Sequence, residues 1–218
     1  MKHTHLIWDW NGTLIDDVDI AVHAMNALFA AYHLPPTDRN EYRSLMEMPV
    51  RSYYEKVFDL TAVSFEETLS PLFNEIYDQE VARAPLAPGA VEALSAFRDA
   101  GCGQAVVSAC EQTRLETLLR ERGIDGYFSL ISGAGDLLAG SKDERAAAAI
   151  RFFGVRGQNV VFLGDTRHDF EVAHAAGADC ILIANGHEAR ELLERCPVPV
   201  ADSLSDAAHL ILDGGGIF

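Results

Sequence analysis

The sequence predicts an α/β protein, a doubly wound Rossmann-like parallel sheet with an α-helical cap inserted near its start. Three observations predict it. Short apolar runs of strand length alternate with helix-length periodic segments from about residue 87 onward, the pattern of a parallel sheet covered by helices on both faces. One further apolar run, Leu6 to Trp8, stands alone ahead of that alternation. Between the two, from about 17 to 86, apolar residues recur only at steps of three and four, so this block reads as all helical. The expected division is a core of 1–16 and 87–218 and a cap of 17–86.

Leu6 to Trp8 is too short for a surface helix and reads as a strand ending at Asp9, followed by Asn11, Gly12 and Thr13. A carboxylate at the carboxyl end of a strand, beside a glycine turn, is where open α/β sheets place their chemistry. Asn11-Gly12 is equally a common hairpin turn, and the stretch alone leaves both readings open. The helical pattern after Thr13 and the parallel pattern beyond it exclude an immediate antiparallel return. Asp16, Asp17 and Asp19 suit a helix amino terminus, and Val18, Val22, Met25, Phe29 and Tyr32 carry the helical period until Pro35-Pro36 stops it. A second short helix is expected from Asp38 to Met46 and a third at Val50, Tyr53, Tyr54 and Val57, with a break at Met48-Pro49. Ser64 to Glu67 has capping-box spacing ahead of Leu69, Leu72, Phe73 and Ile76. Pro85 and Pro88-Gly89 close the block.

Beyond it, Val91, Leu94 and Phe97 mark a helix ended by Gly101. Next come a strand at Ala105 to Ser108, a helix from Glu111 to Arg122 and a strand at Phe128 to Ser132. Ser141-Lys-Asp-Glu144 is a second capping box, opening an alanine-rich helix that stops at Gly154. Val160 to Gly164 is a strand, Asp169 to Ala176 a helix, Cys180 to Ala184 a strand and Ser205 to Leu212 a final helix. Gly214 to Phe218 reads as a frayed tail.

With 218 residues the chain can bury a full core. It has 33 acidic residues against 17 lysines and arginines, a net charge of −16, which argues against nucleic acid or an anionic membrane as a partner. No apolar run reaches 18 residues, so no membrane span is expected. Met1 to His5 runs directly into the first strand, so no signal peptide is expected. Cys102, Cys110, Cys180 and Cys196 show no Cys-x-x-Cys spacing and read as reduced thiols of a cytoplasmic protein.

Three later strand ends are polar. Ser108 and the backbone after it precede a helix start, an arrangement suited to an oxyanion or phosphate, or to simple helix capping. Asp165 and Asp169, four apart after Val160 to Gly164, can join Asp9 around one hard cation such as Mg²⁺, and one of them can also cap the next helix. Lys142 occupies the first position of its helix, where the dipole disfavours a cation by roughly 0.3–1 kcal/mol. An anion in front of it would explain that placement.

Asp9-x-Asn-Gly-Thr-Leu14, Ser108 after an apolar strand, Lys142 at a helix start and Gly164-Asp-Thr-x-x-Asp169 together resemble the four motifs of the haloacid dehalogenase-like hydrolases. The resemblance covers essentially the whole chain and is nearest to the phosphoglycolate-phosphatase-like members. It implies a Mg²⁺-dependent phosphatase of a small phosphorylated metabolite, with Asp9 as nucleophile forming an aspartyl-phosphate. It implies that Asp9, the Asn11 carbonyl, Asp165 and Asp169 hold Mg²⁺. Gly12, Thr13, Ser108, Ala109 and Lys142 would hold the phosphoryl group. Apart from the resemblance, the Met48 to Arg51 break between cap helices is expected to overhang the crevice, where Arg51 could read a second anionic group. A monomer or homodimer is expected.

One departure stands out. The family usually carries Asp two residues after the nucleophile, as general acid, and here that residue is Asn11. An amide cannot deliver a proton, a loss typically worth about 10²–10⁴-fold. Asp16, Asp17, His23 and His168 are candidate substitutes, and His187 a candidate rim residue. The same departure motivates two alternatives: a phosphometabolite-binding or regulatory protein with little turnover, and C–P cleavage of phosphonoacetaldehyde through Lys56, the sole cap lysine.

Overall fold

The computed structural model describes residues 2–135 and 141–213. The carboxyl-terminal tail, 214–218, lies outside them. Six parallel strands form one sheet: β1 (His5–Trp8), β2 (Gly103–Glu111), β3 (Leu130–Ala134), β4 (Val160–Gly164), β5 (Asp179–Ile183) and β6 (Val200–Ala201), in the order β3-β2-β1-β4-β5-β6. The chain works outward from β1 in one direction and then returns to build outward in the other. The carboxyl ends of β1 and β4 therefore flank the point where the winding reverses, the ligand crevice of an open α/β sheet.

The side-chain alternation of each strand sorts the core into two faces. Leu6, Trp8, Val106, Val161, Leu163, Ile181 and Ile183 point to one face, covered by α5 (Ala90–Asp99), α6 (Gln112–Glu121) and α10 (Leu204–Leu212). Ile7, Ala105, Val107, Val160, Phe162, Cys180 and Leu182 point to the other, covered by α7 (Lys142–Phe153), α8 (Arg167–Ala175) and the short α9 (Arg190–Leu193). Small residues such as Ala146, Ala149 and Ala173 let α7 and α8 sit close on that second face.

The helical cap comprises α1 (Val18–Ala31), α2 (Arg39–Leu45), α3 (Arg51–Val57), and α4 (Ser70–Val81), which is preceded by a π-helical turn at Phe65–Leu69. Its periodic residues make a core of their own: Val18, Met25, Leu28, Phe29, Tyr53, Tyr54, Phe58 and Leu69 pack together. The two chain crossings between the layers are tied to each other, Asp16 N–H donating to Pro85 O at 3.0 Å and Ala87 N–H to Leu14 O at 2.9 Å.

Element boundaries differ from the sequence expectation where the cause is local. β2 extends to Glu111 because, past a register shift, the chain still pairs with β3 at Ala134. β3 starts at Leu130 because a 3₁₀ turn at Asp125–Tyr127 takes the residues before it. α8 begins at Arg167, since Thr166 rather than a later residue forms the capping box with Asp169. β6 and α9 are too short to carry a period, and the Pro197 and Pro199 ahead of β6 mark it as an edge strand. The four cysteines are free thiols. Among the described residues no helix is long and apolar enough to cross a membrane.

Leu163, fully buried in β4 beside the switch point, tests the core directly. Leu163→Ala should cost about 2–5 kcal/mol in urea denaturation.

Candidate active site

At the switch point β1 delivers Asp9, whose backbone N–H donates to Leu163 O of β4 at 2.8 Å. β4 delivers Asp165 directly, and the first turn of α8 delivers Asp169. These three buried carboxylates each offer an oxygen within 4.8 Å of the others. From the other side comes Lys142. The Ser141–Glu144 capping box fixes the start of α7 and places Lys142 at its first position. Its ammonium donates to Asp9 Oδ1 at 2.8 Å and to Asp169 Oδ1 at 2.7 Å. The anions that offset the unfavourable dipole are thus the site's own acids.

The acids are not equivalent. Asp169 Oδ2 accepts from the N–H groups of Asp165 and Thr166 and from Thr166 Oγ1 at 2.8–3.2 Å, while Oδ1 faces Lys142. Burial pushes its pKa up, but Lys142 and these donors outweigh that and hold it below the ordinary value. Asp9 is raised to about 6 by burial, against the pull of Lys142. Asp165 is raised to about 8, by burial and then by the neighbouring carboxylates, although His187 opposes the shift. Two glycines enforce that burial. A Cβ on Gly12 (φ +69°) would stand 2.2 Å from Asp165 Oδ2, and one on Gly186 2.1 Å from it. Three converging carboxylates facing one ammonium leave an excess of negative charge in a site of oxygen donors, the donor set of a hard divalent cation. The residues present fit such an ion.

A second centre lies beside the first. Asp17 precedes α1 but does not cap it, because its carboxylate turns inward and accepts four hydrogen bonds. Oδ1 takes Gly12 N–H at 2.7 Å and His187 Nε2 at 3.1 Å; Oδ2 takes Asn11 Nδ2 at 2.8 Å and the Tyr77 hydroxyl of α4. Burial would raise its pKa, yet His187, Tyr77 and Asn11 reverse this and hold it near 2. His187 meets the Tyr42 hydroxyl of α2 through Nδ1 at 3.0 Å. Burial would lower its pKa, but Asp17, then Asp165 and Asp9, raise it to about 9. Arg43 of α2 adds to this junction, donating to the Gly186, Ala184 and Glu188 carbonyls of the loop after β5.

Above the acids, between cap and core, is a cavity of about 700 Å³. Asp9, Asn11, Ser108, Ala109, Lys142 and Asp165 all line it. Ser108 does not cap α6, a role taken by Glu111, whose side chain accepts from Thr113 and Arg114 N–H. The Ser108 hydroxyl accepts from Cys110 N–H at 3.1 Å and keeps its own proton to donate.

Other expected residues sit elsewhere. Thr13 donates its hydroxyl to Asp165 Oδ1 at 3.0 Å, Gly12 gives its N–H to Asp17, and neither lines the large cavity. Arg51 does not overhang the crevice; its guanidinium is drawn to Glu55 and Glu66 on the exposed side of the cap. Lys56 likewise faces outward to Glu47 at 2.5 Å. His23 pairs with Glu80 at 2.9 Å, and Asp16 lies toward Arg39. Of the candidate substitute acids, Asp17 and His168 line the cavity. Sequence reasoning missed Arg145, buried on α7, which lines the cavity and donates to Ser108 O at 3.1 Å. Its spacing of three from Lys142 is the available signal, being one helical turn on the same face.

The chain belongs to the haloacid dehalogenase-like hydrolases, whose family model matches residues 6–183. Within that family it is phosphoglycolate-phosphatase-like. It is 28% identical over 210 residues to phosphoglycolate phosphatase 1 of Pseudomonas aeruginosa, spanning 92% of this chain and 77% of that one. It is 27% identical over 217 residues to the probable phosphatase IndB of Dickeya dadantii, spanning 95% and 94%. In fold it is similar to a haloacid dehalogenase-like hydrolase from Streptococcus pneumoniae, with a TM-score of 0.79 at 20% identity over 94% of this chain and 97% of that one.

The shifts set a pH dependence. Asp9, Asp165 and His187 are raised in the folded protein, so it binds protons more tightly than the unfolded chain. Their stabilising contribution is whole below the ordinary carboxylate and imidazole values and is lost as pH rises through about 6, 8 and 9. Metal-free protein should therefore melt at steadily lower temperature from about pH 5 to 9 in calorimetry. An added divalent cation should restore most at the alkaline end.

Proposed function

We propose that this protein is a Mg²⁺-dependent phosphatase that hydrolyses a small phosphorylated metabolite through an aspartyl-phosphate on Asp9. One observation carries the reading: a lysine ammonium held between Asp9 and Asp169, in a buried acid cluster that opens onto the cavity. A carboxylate that must approach a dianionic phosphate needs positive charge around it, and the site concentrates that charge on the reacting oxygen. The names of its relatives, phosphoglycolate phosphatase and probable phosphatase, support the same class.

In this reading Asp9 attacks phosphorus and the bond to the alcohol oxygen breaks, the electron pair leaving with that oxygen, which takes its proton from solvent water. Water then attacks phosphorus, giving up a proton to solvent as the bond between phosphorus and the Asp9 oxygen breaks, which frees phosphate and the Asp9 carboxylate. Lys142 orients Asp9 and offsets charge on the transferring group, while Ser108 and the Ala109 backbone receive phosphoryl oxygens at the cavity floor. Asp9, the Asn11 carbonyl and Asp165 would hold Mg²⁺, with Asp169 anchoring Lys142 behind them. The ion would supply Lewis-acid neutralisation of the phosphoryl oxygens. Residues 17–86 act as the cap and 1–16 with 87–218 as the core, in a cytoplasmic monomer or homodimer.

Asn11 takes a defined part. Its amide donates to the Asp17 carboxylate and to the Tyr77 hydroxyl, each at 2.8 Å, so it ties the nucleophile loop to the cap. A carboxylate at this position would face Asp17 Oδ2 across the present 2.8 Å contact, and two like charges there repel.

Purified protein should hydrolyse p-nitrophenyl phosphate with Mg²⁺, EDTA should abolish turnover, and Asp9→Ala should lower it by about 10³-fold or more. Undiminished turnover in Asp9→Ala would remove the proposed nucleophile. For the junction, Asn11→Asp should destabilise the protein, and adding Asp17→Asn should recover stability. Urea denaturation of the two singles and the double should give a coupling of roughly 0.5–3 kcal/mol.

A further inference from the structure

We infer that the alcohol part of the substrate is an uncharged, mainly apolar group of ring size or larger, held in the chamber under the cap. This rests on the phosphatase reading above and deepens it. The chamber holds about 700 Å³, within the roughly 300–1,000 Å³ of pockets that enclose drug-sized ligands and far more than a two-carbon acid fills. Its charges are divided by height. The cationic side chains Lys142 and Arg145 belong to α7 at the floor, beside Asp9 and Ser108, where a phosphoryl group would sit. His187 and His168 also line the chamber from the core, but His187 is taken up by Asp17 at 3.1 Å and His168 faces Glu171 at 3.5 Å. Arg114 lines the wall but is held by Asp78. Among the described residues of the cap, 17–86, no lysine, arginine or histidine lines the chamber. The stretch 136–140, outside the described residues, contains no cationic residue in its sequence. A second anionic group on the substrate would therefore meet no cap cation to balance it, and burying an unpaired charge is costly.

What the cap does present is apolar and adaptable. Met25, Met46 and Met48, every methionine beyond the first residue, line the chamber together with Phe65 and Phe73. Methionine fills irregular gaps and packs well on aromatic rings, the property of a surface that accepts apolar bodies of varied shape. Asn74 and Asp78 are polar residues of α4 on this wall, and Tyr53 adds a polar group that is unpaired. It lines the chamber, is 1% exposed, and its hydroxyl has no hydrogen-bond partner among the described residues. A buried unpaired hydroxyl is a group that a ligand can satisfy, and a neutral acceptor on the apolar body would do so. Ser70, on the same wall, is also neutral.

The test is a ladder of phosphate monoesters with alcohols of similar acidity: ethyl, butyl, hexyl and benzyl phosphate, set beside phosphoglycolate. kcat/KM should rise about four-fold per methylene along the alkyl series, and hexyl and benzyl phosphate should exceed phosphoglycolate by about ten-fold or more. Phe73→Arg, which adds a cap cation, should shift the ratio toward phosphoglycolate by about ten-fold or more. Preference of wild-type protein for phosphoglycolate would overturn the inference while leaving the phosphatase reading intact. Absence of turnover with every ester would instead remove the phosphatase reading. Calorimetry on Asp9→Asn then decides the chamber alone: tighter binding of hexyl phosphate than of phosphoglycolate supports it, and equal or reversed affinities overturn it. The same calorimetry stands in if Phe73→Arg fails to fold.

Discussion

The structure of the site depends on one ammonium group placed between two buried carboxylates. Three acids converge at the end of the sheet because β1 and β4 are neighbours, a consequence of the winding order. Left alone they would repel, and burial would make each reluctant to ionise. Lys142 makes the convergence tolerable, and it can do so only from a helix that begins at that spot. The Ser141 capping box, the small alanines that let α7 approach the sheet and the contact of the ammonium with the Phe162 ring, 5.8 Å to its centroid, all serve that placement. Packing, capping and charge therefore meet in a single residue.

Asp17 plays a comparable part for the cap. Its four donors come from the loop after β1, from α4 and from the loop after β5, so one carboxylate joins three separate stretches of chain. Arg43 fastens α2 to the same loop through backbone carbonyls. The cap is held to the core by these polar contacts and by an apolar seam in which Ile20, Tyr77 and Val81 pack against the core cluster, while much of its remaining apolar surface faces the chamber and its own interior.

Most of the fold is legible in the sequence because strand and helix periods are long and the caps are marked. Leu6 to Trp8, Val160 to Gly164 and the Ser141 box need no tertiary information. The core of the site is legible for a related reason: Asp9, Ser108 and Asp165 are polar residues at the ends of apolar runs, and Lys142 stands against a helix dipole. What escapes is set by side-chain direction. Asp17 looks like an ordinary helix-start acid until its carboxylate turns inward. Tyr42 and Tyr77 sit within helices, where nothing local distinguishes a residue facing a cavity from one facing a core, and Arg145 is marked only by its one-turn spacing from Lys142. Arg51 errs in the opposite sense, since Glu55 and Glu66 compete for it on the outer face and win. Gly12 and Thr13 have the expected identities, but Asp17 and Asp165 take up their polar groups.

The shared acceptor at Asp17 also couples the two layers. Tyr77 rides on the cap, whereas Asn11 and Gly12 belong to the loop that carries Asp9, and all three depend on the same carboxylate. A displacement of α4 would remove a donor from Asp17 and loosen its hold on that loop. The position of α4 and the alignment of the loop after Asp9 are thereby linked through one side chain. An adjustment of either layer is transmitted to the other through a single carboxylate.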